Sequence, residues 1–288
     1  ASPPMGYTCF ESEETEGVAH VRLSRPDAYN SMVPAFWSEL PEIIGELSDS
    51  GRVRAVVLSS SGKHFSAGMD LAVFTGGAAD EAVNPGEGIK ETGRQRAALR
   101  YNVLHLQQSF SILEQARMPV LAAIQGGCIG GAVDMVTAAD CRYATEDAFF
   151  CIQEINIGMT ADVGTLQRLP KLSPEGVVRE LAYTGRRMPA AQALGYGLVN
   201  QVFEDQDTML SGVHEIAAEI ASKSPLAIHG TKETILYTRD HTVEDSLKYI
   251  AAWQTGMFQP GDMAETFTAT AEGRDPDFDD LGAIRRGL

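Results

Sequence analysis

The sequence predicts an α/β body followed by an all-helical C-terminal part. Short apolar runs alternate with longer amphipathic stretches through the first two hundred residues, the pattern of repeated β/α units in stacked parallel or mixed sheets. From about Asp207 onward only helical periodicity remains. With 288 residues, 44% of them apolar, the chain can bury a full core. The expected division is residues 1–206 as the body and 207–288 as a helical region too thin to bury its own faces, and so suited to packing against another subunit.

Val18-Ala19-His20-Val21-Arg22-Leu23 alternates with period two and reads as a strand stopped at Arg25-Pro26. A helix follows around Val33 to Leu47. Arg54 to Ser59 is a short apolar run closed by Ser61-Gly62, as expected of a strand buried on both faces. Thr75 to Glu91, rich in Gly, Ala and acid, reads as a surface loop that could act as a lid. Leu99, Val103, Leu106, Phe110 and Leu113 then form the stripe of one long helix ending before Pro119, with core packing as its expected role. Pro119 to Ile124 is another buried strand, Gly126 to Gly131 a glycine turn and Ala132 to Ala138 a helix. Ser173-Pro174-Glu175 reads as an N-cap followed by Pro at the first helical position. Met209, Val213, Ile216 and Ile220 make one apolar face, and Thr242 with Asp245 resembles a capping box.

Composition excludes several functions. Lys plus Arg total 23 against 39 Asp plus Glu, a formal charge of -16, so the long-range field repels polyanions and nucleic acid is not an expected partner. A small anionic ligand could still be met by backbone amides. The four cysteines, Cys9, Cys128, Cys141 and Cys151, show no metal-ligand spacing and read as reduced packing thiols. No apolar run approaches the roughly 20 residues that span a bilayer, the opening residues lack a secretory pattern, and Arg286-Gly287-Leu288 is not the Ser-Lys-Leu peroxisomal address. The expectation is a cytoplasmic protein with no membrane partner.

Two glycine turns and three acids carry the chemistry. Lys63-His64-Phe65-Ser66-Ala67-Gly68-Met69-Asp70-Leu71 follows a buried strand, and its glycine lets the backbone turn and present the Met69 amide. Gln125-Gly126-Gly127-Cys128-Ile129-Gly130-Gly131 leads into a helix whose first amides lack intrahelical acceptors. Two such amides converging on one carbonyl oxygen would stabilise an enolate, with about 3 kcal/mol lost per donor removed. Asp134, within Ala132-Val133-Asp134-Met135-Val136, and Glu154, after Phe149-Phe150-Cys151-Ile152-Gln153, sit in apolar company that raises a carboxyl pKa toward neutrality. Alone, Asp134 would read as a helix-start residue and Asp162 as an N-cap.

These motifs together resemble the crotonase, or enoyl-CoA hydratase/isomerase, family from Arg25-Pro26 to about Phe278. Ala139-Asp140-Cys141-Arg142-Tyr143-Ala144 and Thr184-Gly185-Arg186-Arg187, ahead of Ala190, Ala193 and Gly197-Leu198-Val199, extend the match. The resemblance implies a crotonase-type spiral of ββα units with a C-terminal helical trimerisation region, assembled as a homotrimer or homohexamer. It implies an oxyanion hole from the amides of Met69 and Gly131, an acyl-coenzyme A thioester as substrate, and Ala67, Gly68, Asp70 and Gly130 as substrate-binding neighbours. Hydratases of the family carry two glutamates where this chain has Asp134 and Glu154. The shorter Asp134 and the additional Asp162, within the segment Asp147 to Pro170, instead resemble the Δ3,5-Δ2,4-dienoyl-CoA isomerase subfamily, as do Lys223-Ser224-Pro225 and Tyr237-Thr238-Arg239-Asp240-His241.

That resemblance implies a reaction. Moving a 3,5-diene to a 2,4-diene removes a proton at C2 and delivers one at C6, too far apart for one carboxylate, with a trienolate between. Glu154 is assigned as the base at C2, Asp162 as the acid at C6, and Asp134 as a polarising or orienting group. No metal and no separate cofactor is expected, coenzyme A being part of the substrate. The rival readings are an enoyl-CoA hydratase or Δ3-Δ2 isomerase of the same fold, and a non-catalytic scaffold. Arg25, Lys63 and His64 are the basic residues that could meet the nucleotide of coenzyme A.

Overall fold

A computed structural model of the chain describes residues 6–70, 72–75 and 91–285. The loop expected from Thr75 to Glu91 lies, between its end residues, outside the described residues. Strands β1 (Phe10–Thr15) and β2 (Val18–Leu23) form an antiparallel hairpin. Its two-residue turn places Glu16 and Gly17 at φ 51° and 78°, the left-handed pair whose twist matches that of the flanking strands. Parallel strands β3 (Ala55–Ser60), β4 (Val120–Ile124), β6 (Cys141–Thr145) and β9 (Gln201–Phe203) complete a six-stranded sheet in the order β1-β2-β3-β4-β6-β9.

A second sheet contains β5 (Gly127–Ile129), β7 (Phe149–Cys151) and β8 (Met188–Pro189). From β4 to β7 the strands therefore alternate between the two sheets. β4 pairs with β6 and β5 pairs in parallel with β7, so each strand pair and its helix stack on the next as one turn of a spiral. The sequence reading treats Gly126 to Gly131 as a turn only. Glycines hide β5, whose pairing depends on the neighbouring unit rather than on local propensity.

The main sheet is covered on both faces, and every residue of β3 and β4 is buried. On one face, helix α1 (Phe36–Ser50) and helix α2 (Thr92–Gln115) join Phe36, Trp37 and Phe110 in an aromatic cluster with centroids 5.3–6.2 Å apart. On the other, Met209, Val213 and Ala217 of helix α7 (Gln206–Ala221) cover Ala55, Val57, Leu121, Ala123 and Tyr143. Full burial of each such aliphatic or aromatic side chain contributes about 1.5–3 kcal/mol. The stripe read on α2 is only half core. Phe110 and Leu113 are buried, whereas Leu99 is exposed, because the N-terminal half of the helix extends past the body.

Helices α3 (Gly131–Thr137), α4 (Thr165–Leu172), α5 (Glu175–Thr184) and α6 (Ala190–Gly195) lie between the later strands. Ser173 does not cap α5: Pro174 is the N-cap residue, and the Ser173 hydroxyl is buried without a partner among the described residues. Helices α8 (Pro225–Asp240), α9 (Val243–Met257) and α10 (Pro260–Glu272) complete the C-terminal part. Thr242 caps α9 by accepting from the Asp245 amide at 3.1 Å. The buried Lys232 ties α8 to the sheet through Asp140 at 2.9 Å and the carbonyl of Met118 at 2.9 Å. The chain after α10 crosses back over the body, where the Leu281 amide donates to the Gly51 carbonyl at 3.0 Å. Among the described residues the four cysteines are free, and no helix is long and apolar enough to cross a membrane.

Candidate active site

Both glycine loops leave the sheet at the same level and lie against each other. Ser66 and Cys128 form a parallel bridge, with the Ser66 amide donating to the Gly127 carbonyl and the Ile129 amide to the Ser66 carbonyl, each at 3.1 Å. Gly68 has φ 80°, and a Cβ there would stand 2.5 Å from the Ile129 carbonyl oxygen and 3.2 Å from the Gly131 nitrogen. Only glycine permits that approach. Among the described residues, the amides of Met69 and Gly131 donate to no backbone carbonyl or side chain. Gly130 is different, since its N–H donates to the Cys151 carbonyl at 2.9 Å.

Three carboxylates interact electrostatically beside these loops, with Glu154 lying against Gly130. Asp134, in the first turn of α3, is fully buried. One oxygen accepts from the Thr165 amide at 2.5 Å, and the other has no partner among the described residues. Burial pushes its pKa up to about 6, against the opposing pull of that amide. Glu154 opens a short 3-10 turn, Glu154–Ile157, and its carboxyl lies over Gly130, where a Cβ would be 3.4 Å from Oε1. Its Oε2 is buried and unpaired among the described residues. Burial first, and the negative charge of Asp134 second, raise its pKa to about 7. Asp162 is exposed as a residue, yet partial desolvation raises its carboxyl too. Its charge raises both Glu154 and Asp134, so the three acids share one electrostatic neighbourhood.

The structure brings Asp134, Glu154 and Asp162 together with the amides of Met69 and Gly131. The other residues read as binding groups divide. Ala67 is exposed beside the loop pair. Asp70 uses both carboxylate oxygens inside the protein, accepting from the Ser31 hydroxyl at 2.7 Å and the Ala72 amide at 2.9 Å, which lowers its pKa. It locks the first loop. Arg25 donates to the Ser31 carbonyl at 2.7 Å, and His64 accepts from the Gly127 amide at 2.9 Å, so both brace the loops. Lys63 is exposed. The reading of Asp162 as an N-cap does not hold, because α4 starts after Gly164 at φ 141° and no side chain caps it.

Several residues here escape sequence reasoning. Thr165 supplies the amide that orients Asp134, and the Cys151 carbonyl fixes Gly130. Behind the Asp162 to Thr165 turn, Arg168 pairs with Glu114 at 2.9 Å, and Glu114 also meets Arg239 at 2.5 Å. Gln107 donates to the Asp162 carbonyl at 2.7 Å. No local signal marks these pairs; the nearest hint is the spacing of Gln107, Ser111 and Glu114 along one face of α2.

Residues 13–281 match the description of the Enoyl-CoA hydratase/isomerase family. The Homo sapiens protein named Delta(3,5)-Delta(2,4)-dienoyl-CoA isomerase, mitochondrial, is 45% identical over 259 residues, 90% of this chain and 77% of that protein. Its peroxisomal namesake from Arabidopsis thaliana is 38% identical over 261 residues, covering 91% and 92% of the two chains. A solved enoyl-CoA hydratase from Bacillus anthracis superposes with a TM-score of 0.82 at 29% identity, covering 94% and 99%. The cytoplasmic expectation is overturned, since these relatives are named mitochondrial and peroxisomal. It rested on absent signals, and composition holds no information about the organelle.

Proposed function

The chain belongs to the enoyl-CoA hydratase/isomerase family, and from that premise we propose that it converts a 3,5-dienoyl-CoA into the 2,4-dienoyl-CoA during oxidation of unsaturated fatty acids. The observation that carries this reading is the third carboxylate, Asp162, joined electrostatically to the Asp134–Glu154 pair. The relatives named for this isomerisation support it.

The Met69 and Gly131 amides bind the thioester carbonyl and lower the energy of the enolate that forms when C2 loses its proton. Glu154 takes that proton. A carboxyl with pKa near 7 is ionised often enough to accept it and basic enough to hold it. Negative charge spreads along the chain as a trienolate, and Asp162 protonates C6. Each turnover leaves Glu154 neutral and Asp162 ionised. The exposed Asp162 regains its proton from water, and Glu154 releases its own. Asp134, held by the Thr165 amide, keeps Glu154 basic by like-charge repulsion. These steps draw on side chains and backbone amides, with coenzyme A entering as part of the substrate.

Incubation with 3,5-octadienoyl-CoA produces the conjugated 2,4-dienoyl absorbance, and Asp162→Asn abolishes it. Water addition to a 2-enoyl-CoA as the dominant activity would replace this reading with a hydratase. We further propose a homotrimer or homohexamer, supported by the exposed Ile235, Val243, Leu247 and Phe267 of α8–α10. A sedimentation mass equal to one chain would refute it.

A further inference from the structure

The turn that places Asp162 is held from behind by helix α2. Helix α2 presents Gln107, Ser111 and Glu114 at spacings of four and three, on one face. All three engage the segment from Asp162 to Arg168. Gln107 Nε2 donates to the Asp162 carbonyl at 2.7 Å, while Arg168 Nη2 donates to Ser111 Oγ at 3.0 Å and to Glu114 at 2.9 Å. The Arg168 guanidinium then packs onto the backbone of Gly164, where a Cβ would be 2.0 Å from Nη1. Gly164 is at φ 141°, outside the conformations most residues adopt, so the turn is constrained from both sides.

We propose that Gln107 is a positioning residue for proton delivery at C6: it anchors the Asp162 carbonyl, with Ser111, Glu114 and Arg168 as its backing, and so aims the Asp162 carboxyl at the far end of the diene. Glu154 is held elsewhere, in the 3-10 turn that it opens, whereas the Thr165 amide that orients Asp134 belongs to the same held segment as Asp162. The two ends of the proton transfer are thus positioned separately. The inference rests on the roles assigned above to Glu154 and Asp162.

The asymmetry gives a test in which the two steps are read independently. In D2O, solvent deuterium exchange at C2 of the dienoyl-CoA reports Glu154 alone, and conversion to the 2,4-diene reports both acids. Gln107→Met keeps the length and helix propensity of the side chain and removes the donor. In this variant, kcat for conversion falls on the order of tenfold with KM unchanged, a loss in keeping with a small misplacement of a reacting group, while C2 exchange stays within about twofold of the parent. A second readout follows from the charges around the turn, which are Asp134 and Glu154 in front and Arg168, Glu114 and Arg239 behind. A released turn lets the Asp162 carboxyl regain water, so its raised pKa drops and the alkaline limb of kcat moves to lower pH. Conversion and exchange falling together, or neither falling, would overturn the proposal. Asp162→Asn separates this from failure of the underlying reading. If that variant still converts the diene, the catalytic assignment is wrong. If it fails to convert but exchanges at C2, and Gln107→Met matches the parent, only the positioning role is lost.

Discussion

Replacing Glu154 by glutamine stabilises the fold at alkaline pH while abolishing turnover. The carboxyl binds its proton at about pH 7 rather than at the usual 4.5, chiefly because burial disfavours its charge. Below pH 4.5 folded and unfolded chains both hold the proton. As the pH rises toward 7 the unfolded chain releases it first, so the folded state loses stability across that window and keeps the full penalty above it. The gap corresponds to about 3 kcal/mol. Glutamine has no charge to desolvate. The Glu154→Gln gain is therefore about 3 kcal/mol near pH 8.5 and about 1 kcal/mol near pH 5.5. Urea unfolding of parent and variant at those two pH values, at equal protein concentration, measures the difference. A gain that is the same at both values, or absent at the higher one, would refute the claim that Glu154 is held desolvated and titrates near neutrality. Diene conversion by the variant should fall by at least about a hundredfold, the contribution of a positioned general base.

Asp134→Asn removes the like charge that raises Glu154, so the acid limb of kcat/KM, near pH 7 in the parent, moves to lower pH. A pH–rate profile whose limb stays in place or moves upward would contradict the coupling. Gly68→Ala forces a methyl to 2.5 Å from the Ile129 carbonyl and occupies φ 80°, separating the two loops. Its kcat falls about 10²–10³-fold as one oxyanion donor is misplaced, and its stability falls by about 1–3 kcal/mol from backbone strain. Steady-state kinetics and a urea midpoint check both, and unimpaired turnover would argue against an oxyanion hole built from these amides.

What was legible in the sequence follows from how local each cause is. β3 and β4 stand out because strands buried on both faces are nearly uninterrupted apolar runs. β5 does not, because its three residues lie in a glycine run and pair only when β7 of the next unit arrives. The acids were visible through their apolar neighbours and through the family pattern. Their supports were not: Thr165 reaches Asp134 across 31 residues, Gln107 reaches Asp162 across 55 and Arg168 reaches Glu114 across 54. The bracing role of Asp70 was hidden for the same reason, since only the folded chain brings Ser31 to its carboxylate.

How this fold treats its buried charges separates structure from chemistry. Lys232 meets Asp140, Glu114 is shared between Arg168 and Arg239, and Arg142 donates to the carbonyls of Leu198 and Ala139. Each of these is paired, as a charge withdrawn from water must be. Among the described residues, Asp134 and Glu154 depart from that rule, each keeping one buried oxygen without a partner. A cation beside Glu154 would satisfy the carboxylate and hold its pKa low, and a carboxylate so satisfied would be too weak a base to remove a proton from C2. On the role proposed for Glu154, the penalty that Glu154→Gln is expected to relieve is therefore a property of the working site. It persists because the surrounding core, with Ala132, Val133 and Ile152 buried beside the acids, is stable enough to carry it.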